Sequence, residues 1–546
     1  MPCCLYRLAL LCAVASFARA QTTLSDAVQA ITHEPAVSRA HWGVSVLKLD
    51  GTPVFGLNEG NFFIPASNAK LFTTATAMAL LGPDATFQTE VSAHGDRKDA
   101  ATLRGDLILH GEGDANLSGR NFPWARPVPR AAGAPAPTAV DPLRCVAELA
   151  DQIAATGLKH VTGDVVGDDT LFPYEPYPED WTIDDAVWGY GAPVSALTIN
   201  DNQLVLTMSP GRKAGDAIAI ALLPAMQWYT LDTRDARTGE PGSGSHLDVT
   251  RMPGSRSVRI YGTIASDAAP DAEEIAIDDP AAYAAAALRQ MLAARGVQVD
   301  GVARAQHRPV TRSLSFAAAS RRPVLLPEEK ESATVKVSAI PQNCGLPDNS
   351  CDVAAATTPV VSSDVVLAKH TSPTLGQDVM LTNKISQNLH AELLLHQLGA
   401  VYGDGSTIGG ARVVSTWLIQ RARVDAGDFM LYDGSGLSGH DLVTPRAITQ
   451  LLRYAAMQPW GAAWKASFPV AGEDGTLRGR FANAPMKDHL FAKTGTLAAA
   501  RGLSGYVDCA SGQTLIFSIL VDNHAPHTND DQKAMDRIAA AIAANN

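Results

Sequence analysis

Three short signals lie far apart in this chain: Ser67-Asn68-Ala69-Lys70, Ser386-Gln387-Asn388 and Lys493-Thr494-Gly495. In that order they spell S-x-x-K, S-x-N and K-T-G, and a fold that uses them as one site must join points separated by roughly 300 residues. At 546 residues the chain exceeds a single hydrophobic core and should divide into about three domains.

S-x-x-K occurs a second time, at Ser45-Val46-Leu47-Lys48, and local structure separates the two copies. Ser45 lies in the β-rich run Trp42 to Leu49, followed by the turn signal Asp50-Gly51. Residues three apart on a strand point to opposite faces, so Ser45 and Lys48 cannot meet. Ser67 instead follows Pro65 and opens Asn68 to Leu81, rich in Ala, Leu and Met and ended by Gly82-Pro83, which reads as a helix. There i and i+3 share a face, and the Lys70 amine can reach the Ser67 hydroxyl.

That pairing has a chemical use, because a serine hydroxyl is a poor nucleophile until an adjacent base takes its proton. The helix start adds a positive end and free N–H groups, which help lower the lysine pKa and can face an oxyanion. Ser386-Gln387-Asn388 directly precedes the apolar, helix-like run Leu389 to Leu398. Lys493-Thr494-Gly495-Thr496 ends the run from His489 and leads into Arg501 to Val507 and Leu515 to Val521, which reads as three successive antiparallel strands. A lysine, a hydroxyl and a glycine on an edge strand offer a cation for a substrate carboxylate, a donor beside it, and an unobstructed backbone for an incoming peptide.

The motifs, their order and their wide spacing resemble those of the low-molecular-mass class C penicillin-binding proteins, which are D-Ala-D-Ala carboxypeptidases and endopeptidases. Further similar stretches are Gly167-Asp168-Asp169-Thr170, Ala192-Pro193-Val194-Ser195 and Asp433-Gly434-Ser435-Gly436. The resemblance implies a mixed α/β (α+β) fold: a β-lactamase-like catalytic domain with an antiparallel sheet flanked by helices, and two nested, β-rich insert domains. The implied boundaries are 21–88 with 367–546 for the catalytic domain, 89–185 with 335–366 for the outer insert and 186–334 for the inner one. It also implies acyl transfer with Ser67 as nucleophile and Lys70 as base. Ser386 would relay a proton to the leaving amine, and Asn388 would bond the acyl portion and the lysine. Lys493 and Thr494 would hold the terminal carboxylate, beside Gly495, with N–H groups of Ser67 and Thr496 as the oxyanion hole. Asp169 would face the site and bind the amine of a diaminopimelate side chain, though Asp168 beside it leaves the register open. The implied partners are peptidoglycan stem peptides, with β-lactam antibiotics as inhibitors.

Arg7, the apolar core Leu8 to Phe17 and the small-residue site Ala18-Arg19-Ala20 read as a secretory signal cleaved after Ala20, placing the protein in the periplasm. That core is too short for a bilayer, so no membrane span is expected. Of the cysteines left after cleavage, Cys344 and Cys351 enclose a turn-rich segment that a disulfide could close, and Cys145 with Cys509 is a residual pairing. No C-x-x-C or H-E-x-x-H occurs, and His390 and His396 are six apart on different helix faces, so no metal and no cofactor are expected. A net charge of −12 with no basic run argues against nucleic acid. Pro123 to Pro142 reads as an exposed loop, and 340–364 as a local insertion. A β-lactamase or esterase on the same scaffold and a non-catalytic peptidoglycan binder are the alternatives. The residues leave open the oligomeric state and the balance of carboxypeptidase against endopeptidase.

Overall fold

The computed structural model describes residues 23–97, 99–126, 140–311, 315–320, 322–326, 364–483, 485–526 and 528–544. The signal segment, Cys344, Cys351 and nearly all of 340–364 lie outside the described residues, as does most of the Pro/Ala-rich stretch.

The two ends of the chain build one unit. Its five-stranded antiparallel sheet runs in the order Leu490–Thr496, Ala500–Asp508, Thr514–Asp522, His41–Lys48, Pro53–Leu57. Side chains alternate across a strand, and Thr514–Asp522 is apolar on both faces because both are covered. Leu515, Phe517, Ile519 and Val521 pack with Val28, Met535, Ile538 and Ile542 of the helices Leu24–Thr32 and Asp530–Ala544. Ile516 and Leu520 point the other way, into a core with Phe72, Trp417, Leu451 and Trp464. Ser45 is buried in this sheet with its hydroxyl 2.9 Å from that of Thr449, so the second S-x-x-K copy is structural.

The chain leaves this unit after the helix Ala69–Leu80 and returns at Leu375–Ile385, and the two crossings lie side by side. Phe87 N–H donates to Ser372 Oγ at 2.9 Å, and Ser372 N–H donates back to Phe87 O at 2.9 Å. Between them stands a seven-stranded mixed sheet. Its centre is Thr102–His110, antiparallel to Gln88–Asp96 and parallel to Val165–Pro173. The helices Arg144–Ala155 and Pro280–Ala294 share its core. Two three-stranded sheets follow, Gln203–Ser209 with Ala219–Leu223 and Asp271–Ala276, and Thr230–Gly239 with Ser245–Thr250 and Ser257–Ala265.

The expected inner unit, 186–334, does not coincide with these sheets. Gln298–Val299 and Ala303–Arg308 pair with His160–Val161 and Val165–Pro173, so this part of the chain belongs to the outer sheet. Phe316 and Ala319 then pack on Ile408 and Ala411 of the catalytic unit. Cys145 and Cys509 are both free and lie in separate cores, which removes that pairing. No helix among the described residues is long and apolar enough to cross a membrane.

Candidate active site

Ser67 sits in the 3-10 turn Ala66–Asn68, which leads directly into the helix Ala69–Leu80. Ala66 is held at φ +46°, a left-handed conformation that L residues rarely adopt. Its carbonyl fits against Gly436, where an added Cβ would come within 1.9 Å of Ala66 O. The tight turn leaves Ser67 at the wall of a cleft of about 940 Å³, which Ser386, Asn388 and Thr496 also line.

Lys70 lies directly behind the serine, fully buried. Its Nζ donates to Ser67 Oγ at 2.9 Å, Asn388 Oδ1 at 2.6 Å and the Ser435 carbonyl at 2.6 Å. An ammonium has three protons, and these acceptors use all of them. In the neutral amine, Asn388 and Ser435 keep two and the lone pair faces Ser67. Burial brings the Lys70 pKa down to about 8, against the opposing pull of Asp433, Glu392 and Asp441. Those carboxylates are themselves engaged. Asp433 accepts from Trp181 Nε1 at 2.9 Å and from the N–H groups of Ser435, Gly436 and Ser438. Glu392 accepts from Gly434 N–H, and burial raises its pKa to about 8. The Asp-Gly-Ser-Gly turn thereby aims the Ser435 carbonyl at Lys70.

Ser386 ends the helix Leu375–Ile385 at φ +62°, and Asn388 begins the helix Asn388–Tyr402. This break between two helices puts both side chains on the cleft. Asn388 also donates Nδ2 to Tyr190 O at 2.9 Å, so the insert helps aim it. Gln387 caps Leu389 N–H and donates Nε2 to Asp201 at 3.0 Å. Asp201 shares His390 with Asp378, at 3.3 and 2.7 Å.

Lys493, Thr494 and Gly495 stand on the edge strand, one layer behind the cleft wall. Lys493 is fully buried and donates to Ser386 Oγ at 2.7 Å and Thr494 O at 2.8 Å. Burial first, then the Lys70 charge, holds its pKa well below the lysine range. Thr494 Oγ1 is 2.7 Å from Thr476 Oγ1. A Cβ on Gly495 would meet Pro65 O at 2.7 Å and Asn68 Nδ2 at 2.8 Å. The glycine therefore serves close packing of the strand on the serine turn.

Asp169 does not reach this cleft. It is buried, with Ser195 Oγ donating to one oxygen at 2.9 Å and His307 Nδ1 on the other at 2.8 Å. Burial opposes the His307 charge, but Asp169 and Asp279 outweigh it and push its pKa up to about 10. Asp168 faces a separate hollow with His110 and Arg308. The insert carboxylate that lines the cleft is Asp185, accepting from Thr182 Oγ1 at 2.8 Å and Tyr190 OH at 3.0 Å.

This geometry has kin. A family model described as D-Ala-D-Ala carboxypeptidase 3 (S13) matches residues 24–324 and 347–542. The chain belongs to that family. A D-alanyl-D-alanine carboxypeptidase of Actinomadura sp. is 30% identical over 520 residues, covering 92% of this chain and 82% of that one. A crystal structure of penicillin binding protein 4 (dacB) from Haemophilus influenzae shares the fold, with TM-score 0.73 at 20% identity over 94% of this chain and 98% of that one. A second structure of that protein, complexed with a β-lactam, gives TM-score 0.66 at 20% identity over 95% and 98%. The chain is thus a serine-type D-Ala-D-Ala carboxypeptidase by family, in a mixed α/β fold.

Proposed function

We propose that this protein is exported to the periplasm, removes the terminal D-Ala from peptidoglycan stem peptides and cleaves D-Ala cross-links, through an ester on Ser67. The observation that carries the reading is the 2.9 Å contact between Ser67 Oγ and a fully buried lysine whose other partners are neutral oxygens.

Neutral Lys70 takes the hydroxyl proton as Ser67 Oγ attacks the carbonyl carbon of the scissile D-Ala-D-Ala bond. The oxyanion is stabilised by the backbone N–H groups of Ser67 and Thr496, on either side of the cleft. Ser386, bonded to Lys493, passes a proton to the leaving amine and is resupplied by the Lys70 ammonium, which returns to the neutral amine, while Asn388 keeps Lys70 aligned and takes the acyl amide. Thr496, on the cleft, meets the terminal carboxylate, with the Thr494 hydroxyl and the Lys493 amine in the layer behind it. Water then hydrolyses the ester, and Lys70 again takes the proton. Asp185 takes the role expected of Asp169, meeting a free amine on the third stem-peptide residue.

A β-lactam presents the same acyl carbon in a strained ring, so a labelled β-lactam should leave its adduct on the peptide containing Ser67. Mass spectrometry of products from purified muropeptides should show loss of D-Ala and cut cross-links. Rapid turnover of the β-lactam with no muropeptide product would make the protein a β-lactamase. Binding with neither adduct nor product would make it a peptidoglycan binder.

A further inference from the structure

Away from the cleft, the helix Arg144–Ala155 and the strand Val365–Thr371 bring together three side chains of metal-binding type. Cys145 Sγ, a Glu148 carboxylate oxygen and a ring nitrogen of His370 all lie within 4.8 Å of one another. A tetrahedral zinc ion holds S, N and O donors at about 2.0 to 2.3 Å, which separates them by roughly 3 to 4 Å. The three donors therefore need to close by about an ångström, and Glu148, on a long and largely exposed side chain, can supply most of that movement.

A second observation points to the same place. Asp114 is 1% exposed, and its Oδ2 has no hydrogen-bond partner. It faces His370 Nε2 at 3.5 Å, and that nitrogen also lacks a hydrogen bond. The other Asp114 oxygen accepts from Asn116 N–H at 2.8 Å, which fixes the carboxyl group in this direction. A buried carboxylate behind an imidazole is the arrangement that orients metal-ligating histidines and raises their basicity. The competing contacts are weak. The Cys145 thiol donates to the Ser118 carbonyl at 3.4 Å, and Arg144 Nε stands 3.9 Å from Glu148.

We propose that Cys145, Glu148 and His370 bind a divalent ion of the zinc type, with Asp114 as the carboxylate partner of the His370 ring. The mixed S, N and O donor set selects such an ion over Ca²⁺ or Mg²⁺, which take oxygen ligands. On binding, the thiol proton leaves to solvent and the thiolate exchanges the Ser118 carbonyl for the metal. His370 lies two residues before Ser372, which bonds Phe87 at the chain crossing between insert and catalytic unit. The ion would therefore clip the return strand to the insert helix beside that junction, a structural role independent of the peptidase chemistry.

Co²⁺ reports on such a site, because thiolate ligation gives a charge-transfer band in the near ultraviolet. Chelator-treated mature protein should bind Co²⁺ with that band, and Zn²⁺ should displace it. Cys145→Ser should abolish the band, whereas Cys509→Ser and the double variant Cys344→Ser/Cys351→Ser should keep it. Asp114→Asn should weaken binding about 10- to 100-fold. Glu148→Gln, at a largely exposed position that the fold tolerates, should weaken binding at least about tenfold while β-lactam labelling of Ser67 stays at the wild-type level. Zn²⁺ should raise the melting temperature of the wild type and leave that of Cys145→Ser unchanged. The proposal is overturned by a wild-type protein without the charge-transfer band, by a band that survives Cys145→Ser, or by Glu148→Gln binding Co²⁺ as tightly as wild type.

Discussion

Lys70 and His390 are both fully buried cationic side chains, yet burial has opposite outcomes for them. The amine is brought down to about 8, whereas the imidazolium overcomes desolvation and is held up to about 9. The difference lies in what each touches. Lys70 contacts three neutral oxygens, and the nearby Asp433 and Glu392 carboxylates are engaged by backbone N–H groups and Trp181. His390 contacts two carboxylates, Asp378 and Asp201, and Asp201 is further held by Arg120 and Gln387. A buried charge whose field is answered keeps its proton and fixes structure. One whose field is left unanswered can give the proton up, which a general base must do.

The largest effect that tests this contrast is on Lys70. Lys70→Ala removes the proton acceptor while Asn388 and Ser435 keep other neighbours, so the rate of β-lactam acylation should fall about 10²- to 10⁴-fold with an unchanged circular dichroism spectrum. An acylation rate within a few-fold of wild type would mean that another group takes the proton from Ser67.

His390→Gln should show the reverse pattern. It leaves Asp378 and Asp201 buried without their shared cation, and breaking such a group typically costs about 3 to 5 kcal/mol of stability, read from denaturant midpoints. Because the folded pKa of His390 is raised above its unfolded value, its contribution is complete below about pH 6.5 and is lost as pH rises through about 9. The variant should therefore lack the decline in stability that wild type shows across that window. If Ser67 labelling survives in the folded fraction, the network positions Gln387 and the S-x-N break without entering the chemistry.

A smaller effect separates the two groups by pH. Lys70 acts as a base only when neutral, so kcat/KM should climb about tenfold per pH unit below about 8 and level off above it. A rise centred near 6.5 would assign the titration to a histidine and remove Lys70 from that role.

How much of this was legible in the sequence follows from the range of each interaction. Ser67 and Lys70 meet because residues three apart on a helical turn share a face, and the strand that carries Lys493 is equally local in its signal. The S-x-N break could not be read as two helices with Ser386 left-handed between them, because its geometry depends on where two helices pack. The Ser435 carbonyl and Tyr190 carbonyl are backbone atoms, which carry no residue identity to recognise. The packing of Gly495 on the serine turn was not legible, since that turn comes from the far end of the chain. The pairing of Gln298–Val299 and Ala303–Arg308 with the outer sheet was not legible, because nothing in Pro280 to Arg308 distinguishes one α/β layer from the next. Cys145 and His370 are too distant in sequence to form any motif.

The same contrast between answered and unanswered charge decides which insert carboxylate can read a substrate. Asp169 is saturated, with a histidine held cationic on one oxygen and a serine on the other, so an incoming amine would have to displace an ion pair. Asp185 lines the cleft, where it accepts from the Thr182 hydroxyl and backbone N–H and from the Tyr190 hydroxyl, none of them a cation. A charge-assisted hydrogen bond from a substrate amine to such a carboxylate contributes roughly 1.5 to 3 kcal/mol, which is about tenfold or greater in selectivity. Asp185 is partly exposed, which puts the expectation at the low end of that range. Asp185→Asn should therefore lower kcat/KM about tenfold for stem peptides with a free amine at the third residue and spare their acetylated counterparts, and the preference should shrink in high salt. Asp169→Asn should lower stability and affect both peptides alike. A selective loss in Asp169→Asn with none in Asp185→Asn would restore the sequence-based assignment and show that substrate opens the Asp169–His307 pair.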